Sequence, residues 1–273
     1  MDAQFKGVNV IITGATGVIG STFVKGLVAK GANVGLLGRS EEKITALQNE
    51  LGEAKVQTVD LVADVLDKVE LERAKQRFNE TFGTIDILIN GAGGNHPNAT
   101  TSDEFYDAQG TNTFFDLTEP GVDAVFKLNY VGTFLPSQVF SQDIVTSKQG
   151  SIINISSMNA FTPLTKIPAY SGAKAAVSNF TEWLSTYFSG KVRVNAIAPG
   201  FFETNQNKGL LRNGDGSYSD RANKILSQTP MNRFGEPEEI LGTLYWLMDY
   251  NASSFVTGIV VPVDGGFNSY SGV

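Results

Sequence analysis

The sequence predicts an α/β fold, a doubly wound parallel sheet in one domain spanning residues 1–273. Three observations predict it. Short apolar runs rich in β-branched residues alternate with longer amphipathic stretches. The runs show no polar alternation, as expected of strands buried on both faces under covering helices. No Ser/Pro-rich linker, composition break or internal repeat divides the chain.

In order, the first run is Val8–Ile12, followed by a helix from about Val18 to Lys30. Asn33–Leu37 and a charged helix from about Glu41 come next, then Val56–Val59, an amphipathic helix ending at Phe82, and Ile85–Ile89. Ser151–Ile155, a helix over about Ala169–Phe188, Val192–Ile197, a helix over about Glu238–Asp249, and Gly258–Val263 complete the alternation. Residues 93–118 and 200–230 do not fit it. Both follow strand ends, where open α/β sheets place ligands, and are expected to be substrate loops.

Composition excludes several chemistries. With no cysteine and one histidine, the chain cannot carry a disulfide scaffold, a thiolate nucleophile or a Cys-ligated metal, and a Ser-His-Asp triad is a poor fit. No metal site is expected. A net charge of −7 argues against a nucleic-acid partner. The absence of an apolar leader or a membrane-length apolar run leads us to expect a soluble, cytoplasmic protein. Glycine, at 29 of 273 residues, exceeds the roughly 7% of average usage, which fits many tight turns.

The most informative turn is Thr13-Gly14-Ala15-Thr16-Gly17-Val18-Ile19-Gly20, placed between the first strand and the first helix. Glycines there let backbone amides approach a pyrophosphate and let helix and strand pack closely. A Rossmann-type dinucleotide site is therefore expected, with Gly14, Thr16, Gly17, Val18, Ile19 and Gly20 against the cofactor, although the spacing is not that of the generic G-x-G-x-x-G fingerprint. The second strand ends Leu37-Gly38-Arg39-Ser40, without an acid at the turn. Arginine suits a ribose 2′-phosphate, so Arg39 favours NADP(H) over NAD(H). Glu41 and Glu42 read instead as first-turn helix residues.

Tyr170 and Lys174 are four apart on a predicted helix and share one face. Ser157 lies thirteen residues before Tyr170, just past a buried strand. Taken with Asn90-Gly91-Ala92-Gly93, Asp64-Val65, Leu128-Asn129-Tyr130-Val131-Gly132, Arg193-Val194-Asn195-Ala196, Pro199-Gly200 and Val263-Asp264-Gly265-Gly266, these motifs resemble the short-chain dehydrogenase/reductase family over essentially the whole chain. The resemblance implies an NAD(P)-dependent oxidoreductase acting on CH–OH groups. Tyr170 would be the general acid for reduction and base for oxidation, Ser157 would hold the substrate oxygen, Lys174 the nicotinamide ribose, and Asn129 a relay water. It further implies that Asp64 and Val65 meet the adenine, that Asn90, Gly91, Ala92, Pro199, Gly200 and Phe202 line the cofactor, and that Thr204 reaches its carboxamide. A homotetramer is implied as well. The chemistry agrees: a free phenol has a pKa near 10, and a neighbouring ammonium favours its ionised form.

One departure stands out. Val18 occupies a position usually held by glycine in family members of this length, and the Gly14/Gly17/Gly20 spacing is that of the longer, epimerase-containing branch. Only 103 residues follow Tyr170, too few for that branch's substrate domain.

Three segments are most similar to the D-mannonate oxidoreductase (fructuronate reductase) group of the family: residues 90–97, 156–170 and 199–207. That likeness implies a sugar-acid substrate interconverted between D-mannonate and D-fructuronate, with a gluconate-type dehydrogenase and a non-catalytic dinucleotide sensor as the alternatives. A sugar acid asks for amides, hydroxyls and a cation. Candidates are Asn95, His96, Asn159, Lys166 and Asn207 beside Ser157, with Lys166 first for the carboxylate and Lys208 and Arg212 weaker. His96 has the alternative of shaping a loop, and Lys166 of being solvated. Phe114, Phe115, Phe201 and Phe202 are either pocket walls or packing residues.

Overall fold

The computed structural model describes residues 3–204 and 208–272. Its strands are β1 (Asn9–Thr13), β2 (Asn33–Gly38), β3 (Thr58–Val62), β4 (Ile87–Asn90), β5 (Ser151–Ile155), β6 (Arg193–Pro199) and β7 (Val260–Val263). They form one sheet in the order β3-β2-β1-β4-β5-β6-β7, and every neighbouring pair is parallel. The chain winds outward from β1 to β3, returns, and winds the other way from β4. The switch point between β1 and β4 is where such sheets bind ligands.

The helices are α1 (Val18–Ala29), α2 (Glu41–Glu50), α3 (Lys68–Phe82), α4 (Glu119–Phe126), α5 (Gly132–Ile144), α6 (Pro168–Tyr187), α7 (Lys208–Leu211), α8 (Asp220–Ser227), α9 (Leu241–Met248) and α10 (Tyr250–Ser253). Strand side chains alternate between two cores. Val10, Ile12, Leu36, Ile87 and Ile89 join Phe23 and Leu27 of α1 and Leu244 and Leu247 of α9 on one face. Ile11, Leu37, Leu88 and Ile152 join Phe78 of α3, Phe140 of α5 and Phe180 of α6 on the other. Each fully buried side chain of this size contributes about 1.5–3 kcal/mol of transfer free energy, so apolar residues at successive strand positions are used on both sides.

Two expectations need correction. The third strand begins at Thr58 rather than Val56, because Gly52–Gln57 form a 3-10 turn closed by Thr58 Oγ1 donating to the Lys55 carbonyl at 2.8 Å. Val56 is left exposed. The sequence reading also names no helix between Ile89 and Ser151, yet α4 and α5 lie there, joined by a π-helical turn over Lys127–Val131. The buried face of α5 combines Val139, Phe140 and Ile144 with Gly132, Thr133, Pro136, Ser137 and Ser141, so small and polar residues interrupt the apolar stripe that would have marked it. The helix over Glu238–Asp249 is divided into a 3-10 turn at Pro237–Ile240 and α9. Among the described residues no helix is long and apolar enough to cross a membrane.

Candidate active site

At the switch point, backbone packs directly on backbone. Gly14 adopts φ 66°, and a Cβ there would lie 2.9 Å from the Ala92 amide and the Gly91 carbonyl. A Cβ on Gly20 would strike the Gly14 carbonyl. Thr13 Oγ1 accepts from the amides of Gly91 (3.1 Å) and Ala92 (3.2 Å), tying the ends of β1 and β4 together. Gly17 is the N-cap of α1 and supplies no side-chain cap, whereas Ser40 and Asp67 cap α2 and α3 with their side chains. The first amides of α1 are thus left for an anion beside a cradle that any Cβ would fill, a fit to a dinucleotide pyrophosphate.

The other cofactor candidates ring this cradle. Thr16, Val18 and Ile19 are partly exposed on the turn, and Arg39 is exposed just past β2. Asp64 Oδ1 accepts from the Leu66 amide at 2.9 Å, which shapes the turn after β3. Val65 is buried against Gly132, where a Cβ would come within 2.9 Å of it. Asn90 turns its side chain into the core, donating to Ser137 Oγ (2.9 Å) and Asn154 Oδ1 (2.8 Å), so only its backbone faces the strand end. At β6, the Gly200 amide donates to the Val263 carbonyl at 2.9 Å. The Phe202 ring is buried against Gly235. Thr204 is partly exposed at the end of the described segment.

The four candidate catalytic residues converge. Ser157 follows β5, Tyr170 and Lys174 lie on α6, and Asn129 sits in the π turn, a helix defect that often marks functional positions. Lys174 is 4% exposed, and its Nζ donates to the Ile155 carbonyl at 2.8 Å and lies 5.7 Å from the centre of the Tyr170 ring. Burial without a carboxylate partner lowers the Lys174 ammonium to about 8. Burial raises the Tyr170 phenol above its ordinary value, and a hydrogen bond with Ser157 partly offsets the rise. Asn129 donates through Nδ2 to the carbonyls of Gly94 (2.7 Å) and Val125 (2.8 Å), and its Oδ1 accepts from the Gly94 amide at 3.2 Å.

Gly93 joins this set, and its part in it was not read from the sequence. A Cβ at Gly93 would lie 2.7 Å from Asn129 Oδ1 and 3.2 Å from Lys174 Nζ, so a side chain there would intrude between the two. The neighbouring Ser156 is committed elsewhere: its Oγ bonds the Lys174 carbonyl (3.2 Å) and Ser178 Oγ (2.7 Å), fastening α6 to the sheet.

The substrate candidates separate. Asn159 is buried beside Ser157, with its amide donating to Ser157 Oγ at 3.3 Å, and its carboxamide makes no hydrogen bond among the described residues. Lys166 has φ 72°, a left-handed conformation costing a non-glycine residue about 1–2 kcal/mol, held by the Thr101 amide donating to its carbonyl at 2.9 Å. His96 Nδ1 accepts from the Asn98 amide at 3.2 Å, capping the turn at Pro97, and Asn95 donates to Thr100 Oγ1 at 2.9 Å. Asn207 lies outside the described residues. Arg212 is taken up in a two-pronged pair with Glu203 (2.5 and 2.8 Å) and stacks over Tyr218. Phe114 and Phe115 are exposed, while Phe201 lines a cavity of about 520 Å³ beside Lys166. No cluster of metal-ligating side chains occurs among the described residues.

Residues 8–214 match the short chain dehydrogenase family. An uncharacterised oxidoreductase of Haemophilus influenzae is 53% identical over 268 residues, covering 97% of this chain and 94% of its own. A crystal structure of a Haemophilus protein, provisionally assigned as a D-mannonate oxidoreductase and holding NAD, superposes with a TM-score of 0.94 at 52% identity, covering 98% of this chain and 97% of its own. A gluconate 5-dehydrogenase of Burkholderia cenocepacia in complex with NADP and tartrate gives a TM-score of 0.82 at 28% identity, with 98% of each chain covered. The chain belongs to the short-chain dehydrogenase family of NAD(P)-dependent oxidoreductases.

Proposed function

We propose that this enzyme interconverts D-mannonate and D-fructuronate, with Tyr170 as the general acid for reduction and the general base for oxidation. The observation that carries the reading is the convergence of Ser157, Tyr170 and Lys174 at the strand ends, with the Ser157 hydroxyl beside the phenol and Lys174 Nζ 5.7 Å from the centre of its ring. The bound nicotinamide supplies the hydride in reduction and takes it in oxidation. Ser157 and Tyr170 hold the substrate carbonyl oxygen between two hydroxyls, and as negative charge grows there Tyr170 releases its proton to it. The buried Lys174 ammonium, 5.7 Å from the ring centre, stabilises the resulting phenolate. Asn129 Oδ1 keeps one lone pair beyond its bond from Gly94 and places the water that returns the proton. Residues 14–20, Asp64, Val65, 90–92, Pro199, Gly200, Phe202 and Thr204 hold the cofactor.

A sugar acid is supported by the buried carboxamide of Asn159 and by Lys166, with Asn95, His96 and Asn207 completing the proposed set. The gluconate 5-dehydrogenase relative supports a second reading, reduction of a 5-keto-gluconate. Fructuronate carries its carbonyl at the same carbon when numbered as an aldonate, and the two acids differ in configuration at C2. Arg39, exposed and with no acid at the turn, supports NADP(H) over NAD(H). The NAD held by the Haemophilus relative weighs against that preference. The stacked, largely exposed Trp183 and Tyr187 rings (centroids 5.2 Å apart) support association into a homotetramer.

The purified enzyme is expected to oxidise the reduced cofactor with D-fructuronate, and kcat/KM is expected to be higher with NADPH than with NADH. Arg39→Ala should shrink that ratio by about tenfold, the scale of one charge-assisted contact. A preference for NADH, or a ratio unchanged by the substitution, overturns the Arg39 assignment. Cofactor binding without turnover of any keto-sugar acid overturns the catalytic reading and favours a dinucleotide sensor.

A further inference from the structure

The cavity beside Lys166 is closed by segments far apart in the chain. Lys166 and Ile167 precede Tyr170, Phe201 follows β6, and Arg221 and Lys224 project from α8. Phe201 and Phe267 meet edge to face at 5.3 Å and form an apolar wall. Three cations and two carboxylates, Glu104 and Asp220, line the space. Lys224 is committed: its Nζ donates to both Glu104 oxygens at 3.0 and 3.1 Å, joining α8 to the loop over residues 93–118. Asp220 opens α8, where a negative charge is favoured by the helix dipole. Lys166 and Arg221 form no ion pair or side-chain hydrogen bond among the described residues.

Two unpaired cations beside an apolar wall, in a chain of net charge −7, form a local anion site. An acidic protein repels an anionic substrate unless positive potential is concentrated where the anion docks. Ile167, which lines the cavity, immediately precedes α6, whose first turn carries Tyr170, so the cavity adjoins the start of the helix that bears the reacting phenol. In fructuronate, three carbons separate that carbonyl from the carboxylate, so the acid group has to reach past the catalytic hydroxyls into a neighbouring space. A guanidinium meets a carboxylate with two parallel N–H donors, whereas an ammonium acts as a point charge. We propose that Arg221 is a specificity-determining residue that receives the carboxylate of the sugar acid in this cavity, with Lys166 as the second cation. The inference rests on the sugar-acid reading and adds a residue on α8 to it.

The test compares D-fructuronate with D-fructose, which has a CH₂OH group where the acid has its carboxylate. In Arg221→Gln, KM for D-fructuronate is expected to rise by about tenfold to a hundredfold. The weak turnover of D-fructose and the affinity for the cofactor should stay within about twofold, and Arg221→Lys should recover part of the loss. Equal effects on acid and ketose, or an unchanged KM for the acid, overturn the assignment while leaving the sugar-acid reading in place. If the wild type reduces no keto-sugar acid, that reading fails, and calorimetric binding of D-mannonate to the enzyme with saturating oxidised cofactor decides the site separately. Binding that Arg221→Gln abolishes supports the carboxylate site, and no binding by the wild type overturns it. Arg221 is exposed, and an unchanged melting temperature in the variant verifies that the fold is kept.

Discussion

Tyr170→Phe is expected to lower kcat by about three orders of magnitude, within the range general acid–base groups supply, with cofactor affinity changed by less than about threefold. The substitution keeps the ring, and with it the packing against the Ala99, Val125, Ala169 and Ala173 cluster and the Lys174 ammonium over the ring. It removes only the hydroxyl beside Ser157. The neighbouring groups do not replace it: Ser157 is an alcohol without an adjacent base, and Lys174 Nζ is held on the Ile155 carbonyl. Steady-state kinetics and a cofactor titration measure the two quantities. Undiminished turnover would remove Tyr170 from the proton-transfer step.

Lys174→Met should lower kcat by at least about a hundredfold and at the same time stabilise the cofactor-free protein at neutral pH by about 2 kcal/mol. The stabilisation follows from removing a buried ammonium that has one carbonyl and no carboxylate for a partner. In the unfolded chain this lysine titrates near 10.5, and in the folded chain at about 8. Between those values the unfolded chain holds more protons, so stability contributed by this group rises with pH through the window. Urea unfolding of the wild type should show a gain of about 2 kcal/mol from about pH 8 to about pH 10, and the Met variant should lack that component. Parallel pH profiles for the two proteins would mean that Lys174 is not desolvated in the empty site. A group that costs stability yet sits beside the reacting phenol is what a site selected for chemistry would keep.

The parallel sheet is legible because its central strands β1, β4, β5 and β6 are buried on both faces. Ser151–Ile155 is fully buried and was bounded correctly from its unbroken apolar character. The sequence places the third strand too early because the apolar Val56 lies in a turn where it is exposed. Helix α5 is masked in the sequence because Gly132, Thr133, Pro136, Ser137 and Ser141 interrupt the apolar Val139, Phe140 and Ile144 on its buried face. Of the site, the glycine turn and the Tyr170–Lys174 spacing follow from local geometry, a strand-to-helix turn and one helical repeat. Ser157 and Asn129 were reached through family resemblance, because nothing local brings a strand end or a π turn to α6. Gly93 and Arg221 escaped for the same reason. The first is constrained by Asn129 and Lys174 approaching from other segments, and the second, the proposed carboxylate residue, lines one cavity with Lys166 although the two lie on separate segments. His96 caps a turn through Nδ1, the loop-shaping role that its position before Pro97 also suggests.

Reduction of D-fructuronate with cofactor carrying deuterium at the transferable position of the nicotinamide tests the central claim most directly. The product, analysed by nuclear magnetic resonance, is expected to be D-mannonate with one deuterium at C5, formed by the wild type and lost with Tyr170→Phe. Absence of labelled D-mannonate, or deuterium at any other carbon, would contradict the account.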